Sequence, residues 1–328
     1  MLITQNCIVN GMPENVYHND PTPALAGFKD SASLSSSTAK DCVELTMREA
    51  RASIRRLNPE KKEEAGSDAM NLGDLAHDFI LCGGESKFEV APFDAWRSND
   101  AKAVKADIIR RGLIPLNQST QGVLEDVRLM KTRLFEQLAE NRDGFHNILL
   151  KGKPEQSAFA FDGTIWNRAR LDWQDESHEN LIVDYKTTGV EFGRWERNDL
   201  WDEKFYQAVH YKRVLDLIRN PESAPATFCF VLQQSYGEHL AKIIIIDDSY
   251  GEMQKTRYDI GYHRFVAATR SGQWPGLPPY VSYACPPTWK LTQWEEQELI
   301  AKESEERAKA ESQPKKEDDG LKYALAGG

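Results

Sequence analysis

The chain's hydrophobic pattern switches between two periods. Leu181-Ile182-Val183 opens as a continuous apolar run and gives way to Asp184-Tyr185-Lys186-Thr187-Thr188. That is the pattern of a buried strand whose far end turns polar. Upstream, Glu155, Ser157, Phe159 and Phe161 alternate with Gln156, Ala158 and Ala160. The stretch Trp166-Asn167-Arg168-Ala169-Arg170-Leu171-Asp172 follows an Asp162-Gly163 pair, so residues 155–172 predict a hairpin. Residues 226–233 and 240–247 predict two further apolar strands, and 87–91 a short one. Helical spacing predicts helices over 38–57, capped by Ser35 to Ser37, and over 67–81, 99–111, 118–138, 202–219 and 250–271. Met70, Leu75, Ala76, Phe79 and Ile80 form the apolar stripe of the second of these, and Val123, Val127, Met130 and Leu134 that of the fourth. Strands interleaved with helices predict an α/β fold.

Between these elements lie segments of other character. Residues 11–30 are rich in Pro, Gly and Asn and predict an irregular arm, while 58–66, with Pro59 and a run of charges, predict a loop. Residues 274–287 are rich in Pro and aromatics and are expected to close the domain. From Glu295 on the chain is dense in charge: an exposed helix is expected over 295–311 and disorder over 312–328. The expected division is an N-terminal arm and helix at 1–66, a core at 67–290 and a charged tail at 291–328.

Composition narrows the chemistry. At 328 residues the chain can bury a substantial core. Its five cysteines, Cys7, Cys42, Cys82, Cys229 and Cys285, are scattered and form no C-x-x-C pair. A disulfide framework, a zinc ribbon and a four-cysteine iron–sulfur cluster are therefore not expected. The first residues carry no basic segment leading into a long apolar run, and no stretch approaches the roughly 18 apolar residues of a membrane span; a cytoplasmic protein is expected. The net charge of −10 runs against tight, metal-free binding to a polyanion. Residues 295–328 hold ten acids and six bases, a net of −4, so part of the excess lies in the tail.

The candidate chemistry lies in the middle of the chain. In a strand, alternate residues share a face, so Asp184 and Lys186 emerge together with roughly 6–7 Å between their Cα positions. A D-x-K triplet by itself is common and is usually a surface ion pair. Here an apolar strand leads into it, a hairpin ending in Asp172 precedes it, and a helix carrying Gln207 and Tyr211 four residues apart follows it. Two acids and a lysine at neighbouring strand ends suit metal-assisted hydrolysis of a phosphodiester. Basic residues recur elsewhere. Arg48, Arg51, Arg55 and Arg56 fall on the first helix, and Lys102, Lys105, Arg110 and Arg111 on the third, after Trp96 and Arg97. Arg168 and Arg170 share a strand face. The first set reads either as phosphate contacts or as a solvated basic face, Trp96 and Arg97 as a stack on an unpaired base or as a packed Trp with its flanking Arg, and Arg168 and Arg170 as phosphate contacts or as partners of Asp172 or Asp175. The segment 190–201, with Arg194, Trp195, Arg197 and Trp201, is a candidate wall of a nucleic-acid groove.

In this combination the chain resembles the PD-(D/E)XK nucleases, and within them the RecE-like and lambda-exonuclease-like enzymes, over about residues 12–287. Asp172 matches the family's first acid, Asp184 and Lys186 its D/E-x-K pair, and Gln207 and Tyr211 its Q-x-x-x-Y helix signature. His77, in Leu72-Gly73-Asp74-Leu75-Ala76-His77, matches the histidine of the RecE-like subgroup. Tyr17-His18-Asn19-Asp20-Pro21, with the serines from Ser31 to Ser37, matches its opening segment. Leu171 stands where the pattern's name has proline.

The resemblance implies a central mixed β-sheet flanked by helices, with a helical N-terminal region. It implies catalytic roles for Asp172, Asp184, Lys186, Gln207 and Tyr211. Mg²⁺, with Mn²⁺ able to substitute, would be held by Asp172 and Asp184 with His77 and Glu155; Glu155 reads equally as a solvent-facing strand end. Imidazole suits Mn²⁺ better than Mg²⁺. Arg168 and Arg170 would contact DNA. The implied activity degrades one strand of linear duplex DNA from the 5′ end, leaving 3′ overhangs for a RecT-like or beta-like annealing protein, and a ring-shaped homo-oligomer is expected. The alternatives are a structure-specific or single-strand nuclease with the same core, and a catalytically silent DNA-binding scaffold for recombination.

Overall fold

The computed structural model describes residues 1–60, 68–84, 88–176, 180–246, 248–279, 281 and 283–312. Six strands form one sheet: β1 (Cys7–Val9), β4 (Gly152–Phe161), β5 (Trp166–Asp175), β6 (Leu181–Thr188), β7 (Thr227–Gln234) and β8 (Ala241–Ile245), in the spatial order β1-β4-β5-β6-β7-β8. The pair β6–β7 is parallel and the others are antiparallel, so the sheet is mixed. A parallel neighbour requires a crossover, which the chain makes through α7 (Phe192–Trp195), a π-helical stretch at Glu196–Lys204 and α8 (Phe205–Ile218). A separate two-stranded parallel pair joins β2 (Phe88–Val90) to β3 (Ile114–Leu116) around α5 (Asn99–Arg110).

Helices cover both faces. Leu181, Val183 and Tyr185 of β6 pack with α4 (Asp68–Leu81) and α6 (Gln121–Ala139), through Ala76, Phe79, Val127, Met130 and Leu134. Ile182, with Phe228 and Phe230 of β7, packs on the opposite side against Ala208, Tyr211 and Val214 of α8. Beyond α8 a third cluster joins Ala39 and Cys42 of α2 (Ser36–Glu44) to Tyr258 and Phe265 of α9 (Asp248–Ser271). The fold is α/β, a central mixed sheet flanked by helices. α4 lies close to the sheet at Gly73, where a methyl group would come 3.2 Å from Thr187 Oγ1 of β6.

The helix expected over 38–57 is three pieces: α2, α3 (Met47–Ser53) and a 3₁₀ turn at Arg55–Leu57. Ser35 caps α2 as the sequence predicts, by accepting from the Thr38 N–H. Thr46 then starts a new helix with a full capping box against Glu49, and Leu45 is extended between the two. The basic residues of this region serve the fold. Arg51 pairs with Asp30 at 3.2 Å, and Arg56 donates to the Thr22 carbonyl at 2.6 Å and lies 3.6 Å from Asp20. On α5, Arg110 and Arg111 pair with Asp107, Arg111 also with Glu89, and Lys105 lies over the Trp96 ring. Of the expected groove segment, Trp195 is buried against Phe230.

The chain forms two compact units, residues 1–277 and 278–328. The second contains α10 (Thr288–Ser312) with its charged, exposed surface. The Met70 side chain, most of the expected loop at 58–66 and the tail beyond 312 lie outside the described residues. Among the described residues no helix is long and apolar enough to cross a membrane.

One buried group makes stability depend on pH. His210 of α8 is fully enclosed: Nε2–H donates to the Arg168 carbonyl at 2.9 Å, and Nδ1 accepts from the Tyr258 hydroxyl at 2.7 Å. Burial, with the charges of Arg213 and Arg168, lowers it to about 4 from 6.5. Between those values the unfolded chain binds the extra proton, so stability rises with pH across this window and is lost as pH falls through it. At about 1.4 kcal/mol per pKa unit, denaturant titrations should show a loss of about 3 kcal/mol from this group between pH 7 and pH 4. His210→Gln should reduce that slope; an unchanged slope would exclude His210 as its source.

Candidate active site at the parting of two strands

Among the described residues, β5 and β6 are paired only at Trp173–Val183 and Gln174–Ile182. The next pair in that register would be Asp172 with Asp184. There the ladder stops, and β5 rolls: Ala169 and Leu171 pack beneath α8, whereas Trp173 packs with α4 and α6. The two carboxylates thus stand at a fork in the sheet. On the other side of β5 the ladder to β4 is interrupted at the same level. Gln156–Leu171 and Pro154–Trp173 pair, but Glu155 between them adopts φ +54°. A left-handed conformation costs a non-glycine residue about 1–2 kcal/mol. Here it presents the Glu155 carboxylate to the same site.

Asp184 is fully buried, whereas Asp172 and Lys186 are half-buried. Lys186 Nζ lies 2.5 Å from Asp184 Oδ2 and 3.5 Å from Asp172 Oδ2. His77, projecting from α4, places Nε2 3.3 Å from Glu155 Oε1 and 3.6 Å from Asp172 Oδ2. Gln207 of α8 donates from Nε2 to Asp184 Oδ1, and Tyr211 is buried one turn on along the same helix. Arg170 Nε donates to Glu155 Oε2. The sheet fork, α4 and α8 therefore bring together Asp172, Asp184, Lys186, Gln207, His77 and Glu155, with Tyr211 behind them.

Proton affinities follow from this crowding. Burial first, and then the Asp172 charge, raise the Asp184 carboxyl against the pull of Lys186. Burial also opposes the charge on Asp172, but Lys186 and His77 outweigh it and hold that carboxyl well below the usual range. His77 resists burial through its contacts with Asp172, Cys82 and Glu155, which push it up to about 11, and Lys186 likewise stays protonated between its two acids. The cluster is a set of carboxylates neutralised by cations that a divalent ion can replace.

The donor set fits such an ion. One ligand atom each from His77, Glu155 and Asp172 lies within 4.8 Å of the others, and the Asp184 carboxylate stands across the fork outside that group, on Lys186 and Gln207. Three carboxylates and one imidazole suit Mg²⁺ or Mn²⁺, the imidazole favouring Mn²⁺.

Arg168 and Arg170 meet acids other than Asp172 and Asp175. Arg168 is buried, 3.6 Å from Asp20 and stacked over the Tyr17 ring at 5.3 Å. Arg170, 5.8 Å from the same ring, also donates to the Met12 carbonyl. Asp20 in turn accepts from the Ser33 N–H at 2.7 Å and from the Thr22 hydroxyl at 2.7 Å. The segment Tyr17–Asp20 thus braces the arginines that flank the fork. The sequence offered Asp172 or Asp175 as possible partners of Arg170 and not Glu155, because the Glu155 backbone reversal leaves no signal in residue types.

No family model matches this chain, and no curated protein is similar to it in sequence. Among solved structures, a candidate exonuclease of Eubacterium rectale is 12% identical to it, with a TM-score of 0.47, over 79% of this chain and 92% of that one. The functional reading rests on the side chains at the fork.

Proposed function

We propose that the chain is a metal-dependent deoxyribonuclease of the PD-(D/E)XK type, hydrolysing one strand of linear duplex DNA from the 5′ end. The observation that carries this reading is the convergence of Asp172, Asp184 and Lys186 where β5 and β6 part. Asp172, Asp184, Glu155 and His77 would hold Mg²⁺ or Mn²⁺. When bound, the ion lowers the pKa of coordinated water and offsets charge on the scissile phosphate. Lys186, kept protonated by its acidic neighbours, lies where it can orient the attacking water and donate to charge developing on the phosphate. Gln207 fixes the Asp184 carboxylate, and Tyr211, buried one turn on, would support that end of α8. Arg170 holds Glu155 toward the site against its backbone strain. The work of Arg170 is thus positional, and buried Arg168 supports the arm. No covalent intermediate is needed.

The 5′ polarity, the cytoplasmic setting, a ring of identical subunits and an annealing partner of the RecT-like or beta-like kind rest on the resemblance of the motifs. The test uses linear duplex DNA labelled at the 5′ or 3′ end, beside nicked and closed circles, with Mg²⁺, Mn²⁺ or EDTA. The expected result is prompt release of the 5′ label as mononucleotide, metal-dependent, with circles untouched. Cleavage of circles would replace the exonuclease with a structure-specific or single-strand nuclease. DNA binding without cleavage under either metal would leave the silent scaffold.

A further inference from the structure

The imidazole that faces Glu155 and Asp172 also faces a second set of donors on its own helix. Cys82 brings its Sγ within 4.8 Å of a ring nitrogen of His77, and its backbone N–H donates to the Asp78 carbonyl at 3.0 Å. That bond continues the helical geometry by one residue, so Asp78 and Cys82, four apart, share a face. One ligand atom each from His77, Asp78 and Cys82 lies within 4.8 Å of the others, and all three residues are half-buried, open to an ion from solvent. The two clusters share His77 but differ in softness. The carboxylate-rich one suits Mg²⁺ or Mn²⁺, whereas thiolate, imidazole and carboxylate together suit Zn²⁺, with its fourth position left to water.

We propose that the C-terminal turn of α4 is a separate Zn²⁺-class site formed by His77, Asp78 and Cys82, and that filling it draws His77 away from Glu155 and Asp172. Coordination replaces the S–H bond of Cys82 with a metal–sulfur bond and one N–H bond of the His77 imidazolium with a metal–nitrogen bond; both protons go to solvent and nothing is oxidised or reduced. The site would make Zn²⁺ an antagonist of the hard-ion centre. That antagonism rests on the proposed carboxylate site, whereas the existence of the thiolate site does not.

The experiment titrates the full-length, EDTA-stripped protein with Co²⁺ as a spectroscopic stand-in for Zn²⁺. A thiolate-to-cobalt charge-transfer band in the near ultraviolet is expected at stoichiometric metal. It should vanish in Cys82→Ser, weaken in Asp78→Asn and persist in Asp172→Asn. Absence of the band, or its survival in Cys82→Ser, overturns the site. Sharing of His77 is read separately, without DNA, from the electron paramagnetic resonance signal of bound Mn²⁺. Loss of a group around a bound metal costs about 10–100-fold in affinity, so Cys82→Ser should need about tenfold more Zn²⁺, or beyond, to displace Mn²⁺. Equal Zn²⁺ sensitivity of the two proteins overturns the sharing and leaves the thiolate site to be judged on its cobalt spectrum. A protein that shows the cobalt band but cleaves no DNA retains this site and loses the nuclease reading instead.

Discussion

Lys186→Ala should slow DNA cleavage by about 10²–10³-fold, the range for removing one preorganised donor to developing charge, and should also destabilise the metal-free protein. The second effect follows from the geometry. Lys186 is the cation between two acids, 2.5 Å from buried Asp184 and 3.5 Å from Asp172. Removing one partner of a buried ion pair costs about 3–5 kcal/mol, reduced here because burial and the Asp172 charge already raise the proton affinity of Asp184. A divalent ion can take the place of the lost ammonium, so Mg²⁺ or Mn²⁺ should restore much of the stability without restoring the rate. The measurements are thermal melts in EDTA and in excess metal, beside initial rates on end-labelled duplex. A variant that cleaves at the parental rate would remove Lys186 from the chemistry. One whose metal-free stability is unchanged would mean that the ammonium is not the counterion of the fork.

The second large effect lies far from the fork. Gly261→Ala in α9 should cost about 3 kcal/mol, at the upper end of what overpacking a core costs. A methyl group there would run into the Ala39 carbonyl oxygen of α2 and crowd Val43 Cγ2 at 3.0 Å. The obstacle is helix backbone, which cannot swing aside as a side chain can. Alanine's helix propensity, worth about 1 kcal/mol over glycine, cannot offset it. Gly251, on the same helix, meets nothing within 4 Å, so Gly251→Ala should be neutral or stabilising by up to about 1 kcal/mol. Paired denaturant titrations decide the matter. If both substitutions stabilise, α2 and α9 are not packed at this distance. The contact matters for the site because α2 and α9 together close over the outer side of α8, which carries Gln207.

Much of this was legible in residue order. The apolar run of β6, bounded by its polar end, set the strand and put Asp184 and Lys186 on one face, since a strand's period of two leaves no other choice. The Asp162-Gly163 turn set the hairpin, and Ser35 set the start of α2. Boundaries were less legible where capping competes with periodicity. The helical pattern runs through Leu45, but Thr46 and Glu49 satisfy each other's backbone so well that a second helix begins there. Trp195, and Leu200 in the π-helical stretch after it, escaped notice as core because their polar neighbours break any apolar stripe.

Local physics, then, determined the strands, most of the helices and the chemistry-bearing residue types of this protein. Tertiary structure alone decided which groups meet. Asp172 and Asp184 stand together because the β5–β6 ladder ends one residue short of them. Glu155 joins them through a left-handed backbone turn held by Arg170. His77 arrives because Gly73 lets α4 lie on β6, and the arginines are committed inward by Tyr17 and Asp20. Each of these contacts joins residues distant along the chain. The energy that fixes each lies in burial and charge pairing across elements, which no local pattern records.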